Sequence, residues 1–146
     1  MNWVFEGKEV IEMPEGHIGF VYLITCSVNG KKYIGKKLFT FARTKVKTIT
    51  LKNGEKRKKK IRDRVDSDWR EYYGSSDYLK ADIELLGVDK FTREILYICK
   101  TKDECNYRET EEIFKQQALL TDDFYNAWVS AKIRKSNVIG KIQFKE

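Results

Sequence analysis

Apolar residues fall into three strand-like runs and two helix-like ones. Ile18 to Cys26 is rich in β-branched and aromatic residues and too short for a helix, so it is expected as a strand. Asn29-Gly30 is a strong turn signal, and Lys31 to Gly35 is the returning strand of a hairpin. Phe91, Arg93, Ile95 and Tyr97 alternate along a third strand that ends near Cys99. Leu79, Ile83 and Leu86 recur at helical spacing between a Ser75-Ser76 cap and the stop Gly87. Thr101-Lys102-Asp103-Glu104 has capping-box spacing and opens a helix expected to reach about Leu120. Trp69 to Tyr73 suits a helical turn ended by Gly74. Trp3 to Glu12 suits a short edge strand or arm, and the tail from Phe124 to Lys145, with Trp128, is expected to fold back on the core. Thr48 to Leu51 and the lysine run around Asn53-Gly54 suggest a second, more exposed hairpin.

These elements predict an α+β domain. Its sheet is small, mainly antiparallel and three-stranded, flanked by helices, with an inserted basic hairpin or loop. At 146 residues the chain is expected to be one domain, with a core of about 18–128 and the insertion at about 44–65. No apolar run reaches the roughly 18 residues of a membrane span, and the N-terminus lacks a signal-peptide pattern. A cytoplasmic protein is therefore expected. Cys26, Cys99 and Cys105, with His17 alone beside them, lack zinc-site spacing and read as reduced thiols.

The net charge of +7 is concentrated. Eleven Lys or Arg residues lie between Arg43 and Arg64, against Glu55 and Asp63. A near-neutral body with one dense cationic segment suits a polyanionic partner better than a merely solvated loop. Lys45, Lys47, Lys56, Arg57, Lys58, Lys59, Lys60, Arg62 and Arg64 are the candidate nucleic-acid contacts, gripping phosphates without reading sequence.

Phosphodiester hydrolysis needs a positioned water, neutralised phosphoryl oxygens and an assisted leaving oxygen. One carboxylate suffices to hold Mg²⁺, which keeps most of its water shell; Arg clamps phosphate, and a phenol can hold the water. Gly19-Phe20-Val21-Tyr22, followed by Asn29-Gly30 and Tyr33-Ile34-Gly35, resembles the two-part signature of the GIY-YIG nuclease superfamily. Phe20-Val21-Tyr22 stands where that family has Gly-Ile-Tyr. Arg43 lies ten residues beyond Tyr33, where the family carries an arginine, and the late helix offers Glu109 and Glu112 where a metal-binding glutamate is expected. Tyr125-Asn126 is similar to a pair that often closes the domain. Tyr33 to Lys37, Trp69 to Ser76 and the Tyr107-x-Glu109 helix resemble a phage-type subgroup described as endonucleases, some of them homing.

The resemblance implies a Mg²⁺- or Mn²⁺-dependent endonuclease acting on double-stranded DNA, with Tyr22, Tyr33, Arg43 and Glu109 as catalytic residues. Glu109 or Glu112 would bind the metal; Arg64 or Arg70 could replace Arg43. A homodimer would let one site per chain cut both strands. Two other classes remain: a non-catalytic nucleic-acid-binding module on the same scaffold, and a basic interaction protein using only the arm. For the tyrosines the plain alternative is cross-strand packing. A two-residue turn would set Tyr33 opposite Cys26 and the two tyrosines roughly 13 Å apart; a wider loop would bring them closer on the same face. Ser75 and Ser76 are better read as helix caps than as nucleophiles.

Overall fold

The computed structural model describes residues 2–142. Seven strands and three α-helices follow one another: β1 (Trp3–Phe5), β2 (Lys8–Val10), β3 (Gly19–Cys26), β4 (Lys32–Leu38), β5 (Thr40–Thr50), β6 (Lys56–Asp66), α1 (Asp77–Leu86), β7 (Phe91–Cys99), α2 (Lys102–Lys115) and α3 (Lys135–Val138). The main sheet has the order β2-β1-β7-β3-β4, and β5 and β6 form a separate two-stranded ribbon. The expected antiparallel trio is its β7-β3-β4 part. The sheet is larger than expected and mixed, because β1 joins β7 in parallel and brings β2 with it. Two three-residue strands carry too little periodicity to be read from sequence. No helix among the described residues is long and apolar enough to cross a membrane.

β3 is covered on both faces, which is why it reads as an unbroken apolar run. Phe20, Tyr22, Ile24 and Cys26 meet Trp3, Phe39, Trp69, Leu79, Phe91 and Ile95 on one side. Val21 meets Ile34, Cys99, Cys105, Ile113 and Ala118 on the other, under α2. Each such large side chain contributes about 1.5–3 kcal/mol of burial. Trp3 closes the first layer from the N-terminus: its indole N–H donates to the Trp69 carbonyl at 2.7 Å. The β7 alternation breaks at a bulge, where Val21 pairs with Tyr97 and Tyr22 with Ile95. The extra residue, Leu96, turns Tyr97 and Cys99 towards α2, away from the face of Phe91, Arg93 and Ile95.

The helices begin where their caps predict. Ser76 Oγ accepts from the Leu79 N–H at 3.3 Å and Thr101 Oγ1 from the Glu104 N–H at 3.1 Å. Helix α2 stops at Lys115, short of Leu120, and Gln117 turns into positive φ (56°). Beyond it the chain returns to the free edge of β4. The Lys32 N–H donates to the Asp123 carbonyl, the Tyr125 N–H to the Lys32 carbonyl, and the Asn126 side-chain amide both accepts from and donates to the Ile34 backbone, at 3.0 and 2.8 Å. One side chain thereby substitutes for a ladder partner and covers an edge that would otherwise be open. The expected fold-back is thus made by Phe124 to Asn126, whereas Trp128 is 75% exposed. The end of the predicted tail, 143–146, lies outside the described residues.

Candidate active site

The β3–β4 hairpin closes with a four-residue loop, not two: the Cys26 N–H donates to the Lys31 carbonyl and the Gly30 N–H to the Cys26 carbonyl. Tyr33 therefore pairs with Ile24 and Gly35 with Tyr22, two residues closer than the tight-turn register. The two rings share a face with centroids 6.1 Å apart. Their environments differ. Tyr22 is fully buried and its ring lies across Gly35, where a Cβ would collide with the phenol. That contact explains the glycine. Tyr33 is half-buried and opens on a cleft of about 580 Å³ lined also by Lys36, Ser75, Glu109, Asn126 and Trp128.

The cleft wraps the covered edge of β4. Tyr33 reaches it from one face of the sheet; Lys36, on alternate parity, reaches it from the α2 side. Ser75 Oγ lies 3.3 Å from the Tyr33 hydroxyl, following Gly74 at φ 91°. That left-handed turn is held from beneath by Arg93, which donates to the Arg70 and Tyr72 carbonyls at 2.9 Å each between the Trp3 and Tyr73 rings. Sequence reading placed Arg93 only as one residue of an alternating strand.

Glu109 projects into the same cleft from α2, and burial raises its pKa although the nearby Lys36 ammonium opposes the shift. Lys36 donates from Nζ to Asn106 Oδ1, one turn before Glu109. Burial likewise raises the pKa of Tyr33, with Glu109 adding to the rise and the Ser75 hydrogen bond opposing it. Tyr22 is pushed up further, by burial first and then by Tyr72 and Tyr33. Glu112 belongs to a separate network: it accepts from the Tyr97 hydroxyl at 2.5 Å and from Gln116 Nε2 at 2.8 Å, and is absent from the cleft lining.

Arg43 is not brought to the cleft. It lies in exposed strand β5 opposite Asp63, because the segment after β4 continues as a separate β-ribbon. Arg64 is tied to Thr40 through Nε and Nη2 at 2.8 Å, and Arg70 stacks on Trp69 while donating to the Ile11 carbonyl. Among the described residues lining the cleft, Lys36 is the one cation. Sequence reading passed over it; its signal was position, three residues after Tyr33 on the strand that presents Tyr33. Lys45, Lys47, Lys56, Arg57, Lys58, Lys59, Lys60 and Arg62 are all exposed on the ribbon.

The paired tyrosine hairpin, Glu109 on α2 and the Asn126 latch are in keeping with the resemblance to GIY-YIG domains, and family comparison establishes the membership. Residues 3–129 match the model described as "Putative endonuclease segE, GIY-YIG domain", so the chain belongs to the GIY-YIG family. It is similar to "Putative endonuclease segE" of Enterobacteria phage T4, 28% identical over 127 residues that cover 85% of this chain. The chain spans about half (49%) of that relative's length. No solved structure matches.

Proposed function

We propose that the chain is a divalent-metal-dependent endonuclease domain that hydrolyses phosphodiester bonds of double-stranded DNA, with the cleft between β4 and α2 as its active site. The observation that carries this reading is the meeting of Tyr33, Lys36 and Glu109, from two elements far apart in sequence, in one cleft of a GIY-YIG chain. The donor set suits a hydrated ion and not a protein cage: Glu109 and, at the rim, the exposed Asp77 are the carboxylates lining the cleft, and no group of three or more His, Cys, Asp or Glu is gathered among the described residues. Glu109 would hold Mg²⁺ or Mn²⁺, which when bound neutralises charge on the phosphoryl oxygens and assists the departing oxygen.

The chain's own groups do the rest. Lys36 faces the scissile phosphate as a point charge, taking the part that spacing had suggested for Arg43. Tyr33, its phenol intact at neutral pH, orients the attacking water through its oxygen, with Ser75 fixing the hydroxyl rotor. Tyr22 positions Tyr33 from behind without touching substrate, and Glu112 braces α2. The test is cleavage of supercoiled plasmid with Mg²⁺. Wild-type protein should nick it and lose activity in EDTA, and Glu109→Gln should be inactive. DNA binding with no Mg²⁺-dependent nicking would sink the enzymatic reading.

A further inference from the structure

The ribbon is eleven residues long in each strand, antiparallel, and exposed along nearly its whole length. Its register sorts the side chains into two faces. On one, β5 contributes Thr40, Ala42, Thr44, Val46, Thr48 and Thr50, opposite Asp66, Arg64, Arg62, Lys60, Lys58 and Lys56 of β6. On the other, Phe41, Arg43, Lys45, Lys47 and Ile49 oppose Val65, Asp63, Ile61, Lys59 and Arg57. Each face holds five cations and one aspartate, so total charge does not distinguish them. Layout does. The first face has an unbroken cation row on one strand beside a row of small, mostly hydroxyl side chains. The second spreads its cations over both strands, sets Lys47 against Lys59, and interrupts them with Phe41, Ile49, Ile61 and Val65.

We infer that the ribbon binds duplex DNA through the first face, with Lys56, Lys58, Lys60 and Arg62 following one phosphate backbone and the threonine row allowing close approach. This rests on the proposal that the substrate is duplex DNA. Alternate strand residues recur about every 6.7 Å, so the row from Lys56 to Arg62 spans about 20 Å, long enough for its four cations to reach successive phosphates of one strand. Arg64, folded onto Thr40, closes the row at the base and does not contact DNA. The base itself is fixed to the body: Phe39 is buried against Phe20 and Trp69, the Ser67 hydroxyl donates to the Leu38 carbonyl at 2.6 Å, and Lys37 pairs with Asp68 at 2.7 Å. A ribbon so anchored leaves the same strand, β4, that carries Tyr33 and Lys36, so phosphates held along it are fixed relative to the cleft.

The experiment compares two triple variants that remove equal charge, Lys58→Ala/Lys60→Ala/Arg62→Ala and Lys45→Ala/Lys47→Ala/Lys59→Ala. Binding to a 30-base-pair duplex is titrated against salt without divalent ions, so the outcome does not depend on catalysis. The first triple should lower the slope of log K against log salt by about 2.7, at about 0.9 per lost phosphate contact; the second should leave it unchanged. A separate variant, Thr44→Leu/Thr48→Leu, removes no charge and should weaken binding by obstructing the approach. Equal slope losses in the two triples, or a wild-type chain with no salt-dependent duplex affinity, would overturn the inference. Binding lost only in the first triple, in a protein that never nicks plasmid, would uphold the face assignment and refute the nuclease proposal.

Discussion

Tyr22 and Tyr33 lie on neighbouring strands of one face, yet only Tyr33 meets the cleft. Tyr33→Phe should therefore lower plasmid cleavage about 100-fold while leaving the melting temperature near wild type, since loss of a positioning contact costs about 10²-fold. Gly35→Ala drives a methyl into the Tyr22 phenol and should cost about 1–3 kcal/mol in urea unfolding, as overpacking does. Adding Tyr22→Phe should recover part of that loss, a coupling expected of residues in contact. Replacing Lys36 with Met should cut turnover about 10²-fold or more, on the scale of one lost electrostatic contact to the transition state. Arg43→Ala should leave turnover within about threefold. At this scale the hairpin motif singled out both tyrosines and the Tyr107-x-Glu109 resemblance favoured Glu109 over Glu112; of these, Tyr33 and Glu109 line the cleft. Spacing alone did not bring Arg43 to the cleft, because ten residues beyond Tyr33 the chain has already passed into the separate β5–β6 ribbon.

At the scale of elements, the caps and turn residues carried their own signals: Ser76, Thr101 and Gly87 each mark a helix end that the structure keeps. What stayed hidden were features that depend on a distant partner. The β1–β2 hairpin is defined by its pairing to β7 and by Trp3 entering the core, neither of which leaves a periodic trace in six strand residues. The bulge at Leu96 reverses which face Tyr97 joins, and alternation alone cannot reveal it. For Asn126 the closing role was legible from the Tyr125-Asn126 pair, and only its partner, both backbone groups of Ile34, was hidden. Asn126→Ala leaves a buried strand edge unpaired and should cost about 1–3 kcal/mol by chemical denaturation. Hydrogen exchange of the Ile34 amide should accelerate in step; an unchanged rate would mean that the latch is unimportant.

For the molecule as a whole, the half-buried carboxyl of Glu109 would, on the proposed reading, link stability, pH and metal. Its pKa is raised in the folded state, so the contribution of its protonated form is complete below the ordinary glutamate value, about 4.3, and is lost as pH rises through the folded value. Without metal, Glu109→Gln should thus be more stable than wild type at pH 7, with the gap narrowing towards pH 4. A bound cation favours the ionised form, so stabilisation by Mg²⁺ should grow between pH 5 and 7 in wild type and vanish in Glu109→Gln. Charge is divided in the same way: the ribbon carries the basicity and the body holds the cleft, so grip and chemistry should be separable.

The most direct test of the account is single-turnover cleavage of duplex DNA by Glu109→Gln with Mg²⁺, with DNA affinity measured on the same preparation. The account predicts a rate lowered at least about 100-fold at a dissociation constant within about threefold of wild type. A rate equal to that of wild type would contradict it and remove the cleft from the chemistry.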